Sequence, residues 1–564
     1  MTTVGLAGDA VALAAVEAGL GDTVTETVSI DPDVVGRVDV GVLAAPVGSA
    51  VVDRFSERTR GTGTPLLCIE LGGVGGLAVE GVEAAVSGAA PGTACHSCLR
   101  QRVGATDPET DDGAYEPPTA RFAGAVAGRE LADLVAGKES TVLGGVIELP
   151  YTRRQVLPVP YCDCADGERT ALRRNETSRS LEESISLAEA AFDERVGPIE
   201  SIGEVESFPV PYYLATLANT PFSEGDAPDH AAGVGIDWDP AFMKALGEAL
   251  ERYSAAVYRT DDFVTEPNAP VDPARFVRPD ETAEPTVDRW YDAEHLESGE
   301  TVQLPASAVV FPPPGETIRP AITTGLGLGN GGSEAIRSGL YEVVERDAAM
   351  LAWYSTYEPM GLTVDDEGFE TLAARAASEG LSTTATLLTQ DIDVPVVAAC
   401  VHRDGEWPRF AAGSSADLDP EAAARGALEE AIQNWLELRR MGKKRATEAG
   451  GAIGMHADFP ETVREFVEVG TTVPAATVGP TEQPSGEAEL TALLDRVSGS
   501  GLDAYAARLT PRDVESIGFE SVRVVVPKAQ PLFTGEPYFG ERAETVPESL
   551  GFAPRLDRTY HPFP

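Results

Sequence analysis

The stretch Asn330-Gly-Gly-Ser-Glu-Ala-Ile-Arg-Ser-Gly-Leu-Tyr-Glu-Val-Val-Glu-Arg-Asp347 follows directly on the glycine-rich run Gly325-Leu-Gly-Leu-Gly-Asn330, and its reading decides the fold of the larger part of the chain. With Glu334 as origin and about 100° per residue, Glu345 falls near 20° and Glu342 near 80°, while Ile336, Leu340 and Val343 gather around 200°. Three carboxylates therefore share the helix face opposite its apolar stripe. Asp347, near 220° by the same rule of about 100° per residue, falls with the apolar residues and reads as a buried acid that needs a partner. For a single helix, an acidic face is also what solvent exposure produces. A glycine-rich turn leading into it suits metal and phosphate chemistry, so other segments must choose.

Two further helices repeat the arrangement. On 239–258, Glu248 and Glu251 oppose Leu246, Leu250, Tyr253 and Val257. On 419–441, Glu430, Gln433 and Glu437 share one face and Leu428, Ile432 and Trp435 the other. The chain carries 91 acidic against 43 basic residues, a formal net charge of −48, so three acidic faces can still be three solvated ones.

Composition bounds the rest. A length of 564 residues calls for at least two domains. No apolar run approaches the roughly 18 residues that cross a bilayer, and the N-terminus lacks a basic-then-apolar start, so the expected location is cytoplasmic, away from membranes. Only five of the basic residues are lysines. The acids are scattered over every segment, and a charge of this size is tolerable where molar salt screens it within about 3 Å, which reads as a halophile. Arg153-Arg154, Arg173-Arg174 and Arg439-Arg440 read as isolated pairs rather than a basic stripe, against a nucleic-acid partner.

The N-terminal part alternates strand-like and helical runs, including Thr3-Val-Gly-Leu-Ala-Gly8, an alanine-rich stretch at 10–18, Val38–Ala44 and Pro65–Leu71, the pattern of βαβ units on a small parallel sheet. Gly5-Leu-Ala-Gly8 is a poor dinucleotide fingerprint that lacks its third glycine. Cys95-His-Ser-Cys98 and Cys162-Asp-Cys164 supply four of the six cysteines in two close pairs. Two such pairs can complete a closed tetrahedral shell for structural Zn2+, with Cys-x-Cys departing from the commoner Cys-x-x-Cys. The polar segment from Ala165 to Leu181 reads as the boundary between units at 1–170 and 180–564. The second unit reads as α/β or α+β, with helices near 182–194, 239–258, 333–353, 366–379, 419–441 and 459–468, strand-like runs between them, and an exposed connection at 261–288.

The order of these motifs resembles the YcaO family. Ala245-Leu-Gly-Glu-Ala-Leu-Glu-Arg-Tyr-Ser254, then Gly329-Asn-Gly-Gly-Ser-Glu-Ala335 through Glu342-Val-Val-Glu-Arg-Asp347, then Ala427-Leu-Glu-Glu-Ala-Ile-Gln433 match the family's three nucleotide motifs in chain order. The resemblance covers about 180–564 and implies an ATP-binding fold in which Glu248, Glu251, Glu334, Glu342, Glu345 and Glu430 gather around Mg2+, with Asn330 and Arg346 at the nucleotide and Gln433 among the catalytic groups. Family members that form azolines end in Pro-x-Pro-x-Pro. Here Tyr560 stands at the first proline, while Pro562 and Pro564 keep register and carry the expected role of placing the C-terminus at the reacting centre.

Residues 1–165 resemble the small, Rossmann-like, ThiF-like zinc domain that captures the leader of a ribosomal precursor peptide, with a degenerate nucleotide fingerprint. The combined resemblance implies a SagD-like cyclodehydratase. A Cys, Ser or Thr side chain would attack the preceding backbone carbonyl, ATP would phosphorylate the resulting oxyanion, and loss of phosphate would give a thiazoline or oxazoline. Backbone thioamidation with a sulfur-donor partner and a non-catalytic peptide scaffold are the alternatives. A homodimer and a separate dehydrogenase partner belong to the same set of implications.

Overall fold

The strand Thr2–Gly8 leads into the helix Ala10–Leu20 through Gly8, whose φ of 110° and close approach to Ala44 leave no room for a side chain. The computed structural model describes residues 2–20, 25–138, 140–150, 152–164, 171–449 and 451–563. In the N-terminal part, Thr25–Ser29, Thr2–Gly8, Val40–Pro46 and Leu66–Leu71 lie side by side in parallel, as the βαβ reading requires. The sheet does not stay parallel. Ala84–Ala89, Gly145–Leu149 and Thr152–Gln155 continue it antiparallel to seven strands, because the short glycine-rich connection after Leu71 carries no crossover helix. The helices Ala10–Leu20 and Pro117–Val135 cover one face, and Gly19, Gly124 and Gly128 let their backbones touch.

Three more sheets make up the rest of the described residues. Ile199–Glu206, Tyr212–Leu217 and His230–Val234 form an antiparallel meander under the helix Trp238–Ala256. Trp290–His295, Thr301–Pro305, Tyr505–Arg508, Glu520–Val525 and Leu326–Gly329 form a five-stranded sheet, on which the helix Gly332–Trp353 packs. Phe410–Ala416, Val396–His402, Ser382–Leu387, Met360–Thr363 and Thr472–Pro474 form another, covered by the helix Pro420–Met441. Asp419 and Pro420 start that last helix, the aspartate accepting the Glu421 N–H at 3.0 Å.

The expected connection at 261–288 is only partly exposed. Phe263, Val271, Phe276 and Val277 bury their side chains beneath it, and Val264 pairs with Trp290. The N-terminal unit shares a core with the first acidic helix: Cys95, Cys98, Leu99 and Val103 pack in one cluster with Leu246, Leu250, Tyr253 and Val514. At its centre the Arg102 guanidinium donates to Asp513, and the Tyr253 hydroxyl donates to the same carboxylate.

Candidate active site

Each of the three acidic helices buries its apolar stripe on its own sheet and turns its carboxylates toward the other two. Their meeting place is a cavity of about 800 Å³ lined by Glu248, Glu251, Asn330, Glu334, Glu342, Glu345, Arg346, Glu430 and Gln433. The structure thus brings together every site residue expected on these helices and turns. Glu437, one turn beyond Gln433, lines the same cavity.

Backbone amides hold several of the acids by one oxygen each. Glu334 accepts the Asn330 N–H at 2.8 Å and Glu342 the Gly325 N–H at 2.9 Å. Glu430 accepts the Ser414 N–H at 2.6 Å through Oε2, while Glu345 Oε1 accepts the Ser414 hydroxyl at 2.7 Å. Arg346 lies among them, 3.5 Å from Glu345, 3.6 Å from Glu430 and 4.0 Å from Glu342. Burial, with the Glu342 carboxylate beside it, pushes the Glu251 carboxyl up to about 8. Burial also raises Glu345 to about 8, against the pull of the Arg346 guanidinium. Glu248, Glu430 and Glu437 move in the same direction, with burial the main cause in each. So many acids around one space form a donor set that fits hard divalent cations, whose charge favours the ionised carboxylates that burial disfavours.

Several contributors were not legible in the sequence. Among its described residues, the segment read as a domain boundary folds onto the glycine turn that leads into the helix Gly332–Trp353. A side chain at Gly332 would strike the Arg173 carbonyl, whereas the real backbone closes there with Ser333 Oγ donating to Arg174 O at 2.8 Å. Ser184 donates to Asn330 Oδ1 at 2.9 Å and Arg179 to the same atom at 3.3 Å, fixing the amide's orientation. Arg523 rises from the strand Glu520–Val525, donates to the carbonyls of Ile322 and Thr323, and is pulled down to about 9 by burial and by Arg319. No sequence period marks these positions.

Asp347 is buried as expected, and its partner is Arg542, with the Gln530 N–H completing the shell at 2.7 Å. The C-terminal segment is docked. Trp353 Nε1 donates to Thr559 O at 2.8 Å, His456 Nε2 meets Tyr560 O at 2.7 Å, and His561 Nε2 meets Phe533 O at 2.9 Å. Pro562 and Phe563 are buried, and the expectation for Pro564 lies outside the described residues. Burial lowers the His561 imidazole to about 4, and the Arg346 charge adds to that.

The four expected cysteines converge from two distant loops. Cys95 and Cys98 Sγ are 3.9 Å apart, Cys95 and Cys162 3.6 Å, Cys98 and Cys164 3.5 Å, and all four fall within 4.8 Å. Thiolates at about 2.3 Å from a tetrahedral ion lie about 3.8 Å from one another, so the cluster has the size of a zinc shell. At the fingerprint turn, Asp9 Oδ1 accepts the Val11 and Ala12 N–H groups, both at 2.9 Å. The helix end that would receive a phosphate is satisfied by the chain's own carboxylate.

Known proteins resemble this chain in sequence and in fold. An uncharacterized protein of Methanothermobacter thermautotrophicus is 29% identical over 402 residues, which cover 65% of this chain and 96% of the relative. A heterocyclase solved in complex with substrate and cofactor superimposes with a TM-score of 0.73 at 18% identity, over 98% of this chain and 83% of its own. The heterocyclase TruD gives 0.67 at 17% identity, over 97% and 81%. The fold of those two enzymes therefore extends over nearly the whole chain. The profile described as YcaO cyclodehydratase, ATP- and Mg2+-binding, matches residues 232–530, from the strand beside Glu248 to the partner of Asp347, and on that span the chain belongs to the YcaO family.

Proposed function

We propose that the protein is an ATP-dependent cyclodehydratase acting on the backbone of a ribosomally made peptide. The observation that carries this reading is the convergence of Glu248, Glu251, Glu334, Glu342, Glu345 and Glu430 from three separate helices on one cavity. These carboxylates would hold Mg2+, which neutralises phosphate charge and orients the nucleotide. Arg346 offers a planar donor fork for a phosphate oxygen, and Asn330 is held in place by Ser184 and Arg179 to meet the nucleotide.

In the reaction, a Cys, Ser or Thr side chain of the peptide gives up its thiol or hydroxyl proton to a base and adds to the carbonyl carbon before it. The carbonyl oxygen becomes an oxyanion and attacks the γ-phosphorus of ATP, releasing ADP. Breaking the C–O bond then expels phosphate and leaves a thiazoline or oxazoline, the amide nitrogen giving up its proton. Phosphorylation is needed because an amide oxygen is otherwise a very poor leaving group. Gln433, at the cavity wall, suits a contact with the peptide amide, and the docked segment that carries Pro562 suits orientation of the reacting groups or proton transfer, a role that extends to Pro564 by sequence alone.

The unit at 1–170 is read as a ThiF-like peptide-capturing domain with structural Zn2+ on Cys95, Cys98, Cys162 and Cys164. The sulfur spacing supports the metal, and the Asp9 cap supports loss of nucleotide binding there. The unit at 180–564 carries the chemistry. Incubation of the full chain with ATP, Mg2+ and a Cys-, Ser- and Thr-rich precursor peptide, followed by mass spectrometry, tests the reading. Loss of one water per modified site is expected. Exchange of oxygen for sulfur would establish thioamidation instead, and an unchanged mass with bound ATP would leave a scaffold.

A further inference from the structure

The third acidic helix ends in the most basic segment of the chain. Residues 439–445 read Arg-Arg-Met-Gly-Lys-Lys-Arg and hold two of the five lysines, so Arg439-Arg440 is not the isolated pair expected from the sequence. A net charge of −48 makes such a run costly to explain as background. Capping of the helix Pro420–Met441 accounts for Arg439 and Arg440, since cations are favoured in a last turn. It does not account for Lys443, Lys444 and Arg445, which form the first turn of the helix Lys443–Ala449, the end at which the dipole disfavours them.

Local pairing does not absorb these charges either. Arg439 is taken by Glu206 and Glu379. Lys443 meets Asp458, and Lys444 meets Glu448 only at 3.9 Å, both pairs exposed and of little energetic weight. Among the described residues neither Arg440 nor Arg445 forms an ion pair, although Arg440 lies over the Tyr212 ring at 5.5 Å and its charge acts on the Glu437 carboxylate. Both instead line an open groove of about 450 Å³ with Tyr212 and His230. The groove shares Glu248, Gln433 and Glu437 with the acidic cavity, so a chain lying in it would pass directly to the cavity wall.

We infer that this groove, lined by Arg440 and Arg445 and continued along the chain by the exposed Lys443 and Lys444, docks an acidic stretch of the peptide whose backbone is activated in the adjoining cavity. The inference rests on the peptide-activating reading of that cavity. An acidic segment is the charge complement of the rim, and the surrounding negative surface confines its approach to this one edge. The rim thereby selects substrates that carry aspartate or glutamate beside the residues to be modified.

The experiment uses the full chain with a fluorescein-labelled oligoglutamate peptide, read by anisotropy at low and at raised salt. An oligo(Gly-Ser) peptide and an oligothymidylate of equal length are the comparison probes. Oligoglutamate should bind in preference to both, and Lys443→Gln/Lys444→Gln/Arg445→Gln, three exposed changes, should weaken it on the order of tenfold, with ATP affinity retained. Binding no better than that of oligo(Gly-Ser), or equal binding by the triple variant, overturns the inference. So does tighter, rim-dependent binding of oligothymidylate, which would assign the surface to nucleic acid. ATP affinity, measured in parallel, separates the two readings: its absence in the wild type would sink the active-site proposal, whereas the oligoglutamate result judges the groove by itself.

Discussion

Replacing Arg102 by methionine tests whether the two parts of the chain fold as one body. Arg102 is 1% exposed, and its acceptor Asp513 is fully buried. The same carboxylate takes the Tyr253 hydroxyl, two residues beyond Glu251 on the first acidic helix. Without the guanidinium, Asp513 keeps only Tyr253 and the Val514 N–H at 2.9 Å, leaving a buried charge uncompensated. Removing one partner of such a pair costs about 3–5 kcal/mol, whereas replacing both by apolar groups of similar volume is close to neutral. Arg102→Met should therefore lower the urea midpoint by an amount in that range and separate unfolding of the N-terminal part from that of the rest. Arg102→Met/Asp513→Leu should recover most of the loss, giving a coupling of roughly 0.5–3 kcal/mol in the double-mutant cycle. Equilibrium unfolding followed by circular dichroism and tryptophan fluorescence reads both effects. A single variant within about 0.5 kcal/mol of wild type, the scale of an ordinary surface change, would mean that the Arg102–Asp513 pair does not join the two parts.

Further outcomes follow from the site. Glu345→Ala removes a carboxylate shared between Ser414 and Arg346, and ATP turnover should fall on the order of a hundredfold, since a cation contributes several kcal/mol of charge stabilisation; turnover within twofold of wild type would remove Glu345 from the magnesium set. The purified chain should carry one zinc ion, and Cys98→Ser should lose it together with thermal stability; metal analysis showing no zinc in the native protein would dissociate the cluster from that ion. His561 supplies a pH dependence. Its folded value of about 4 lies below the ordinary 6.5, so the stability it contributes is complete above 6.5 and is lost as pH falls through 4, an amount of at most about 3 kcal/mol. In His561→Gln the slope of stability between those pH values should flatten, and an unchanged slope would mean the imidazole is already charged in the folded protein.

The site was legible where each helix carried its own apolar stripe. Ile336, Leu340 and Val343 fixed which face of Gly332–Trp353 is core, and that alone set Glu334, Glu342 and Glu345 opposite it. The same periodicity placed Glu248 and Glu251 on Trp238–Ala256 and Glu430 and Gln433 on Pro420–Met441. What periodicity could not supply was the partner across space. Ser414, Arg179 of the 165–181 segment and Arg523 support cavity-lining residues through single contacts to Glu345, Asn330 and the Thr323 carbonyl, and their sequence neighbours show no pattern. The antiparallel half of the N-terminal sheet was hidden for a related reason: strand direction follows from the connection after Leu71, not from the strands. The basic run at 439–445 was read as an arginine pair because the glycine at Gly442 interrupts it in sequence, although Arg440 and Arg445 line one groove.

The acidic cavity is proposed to use ATP to activate a backbone amide oxygen. A precursor peptide labelled with 18O at the carbonyl before a modified residue, incubated with the full chain, Mg2+ and ATP, tests it directly. Transfer of the label from peptide to inorganic phosphate is the expected result. Label retained in the modified peptide or released as water, with unlabelled phosphate, would contradict it.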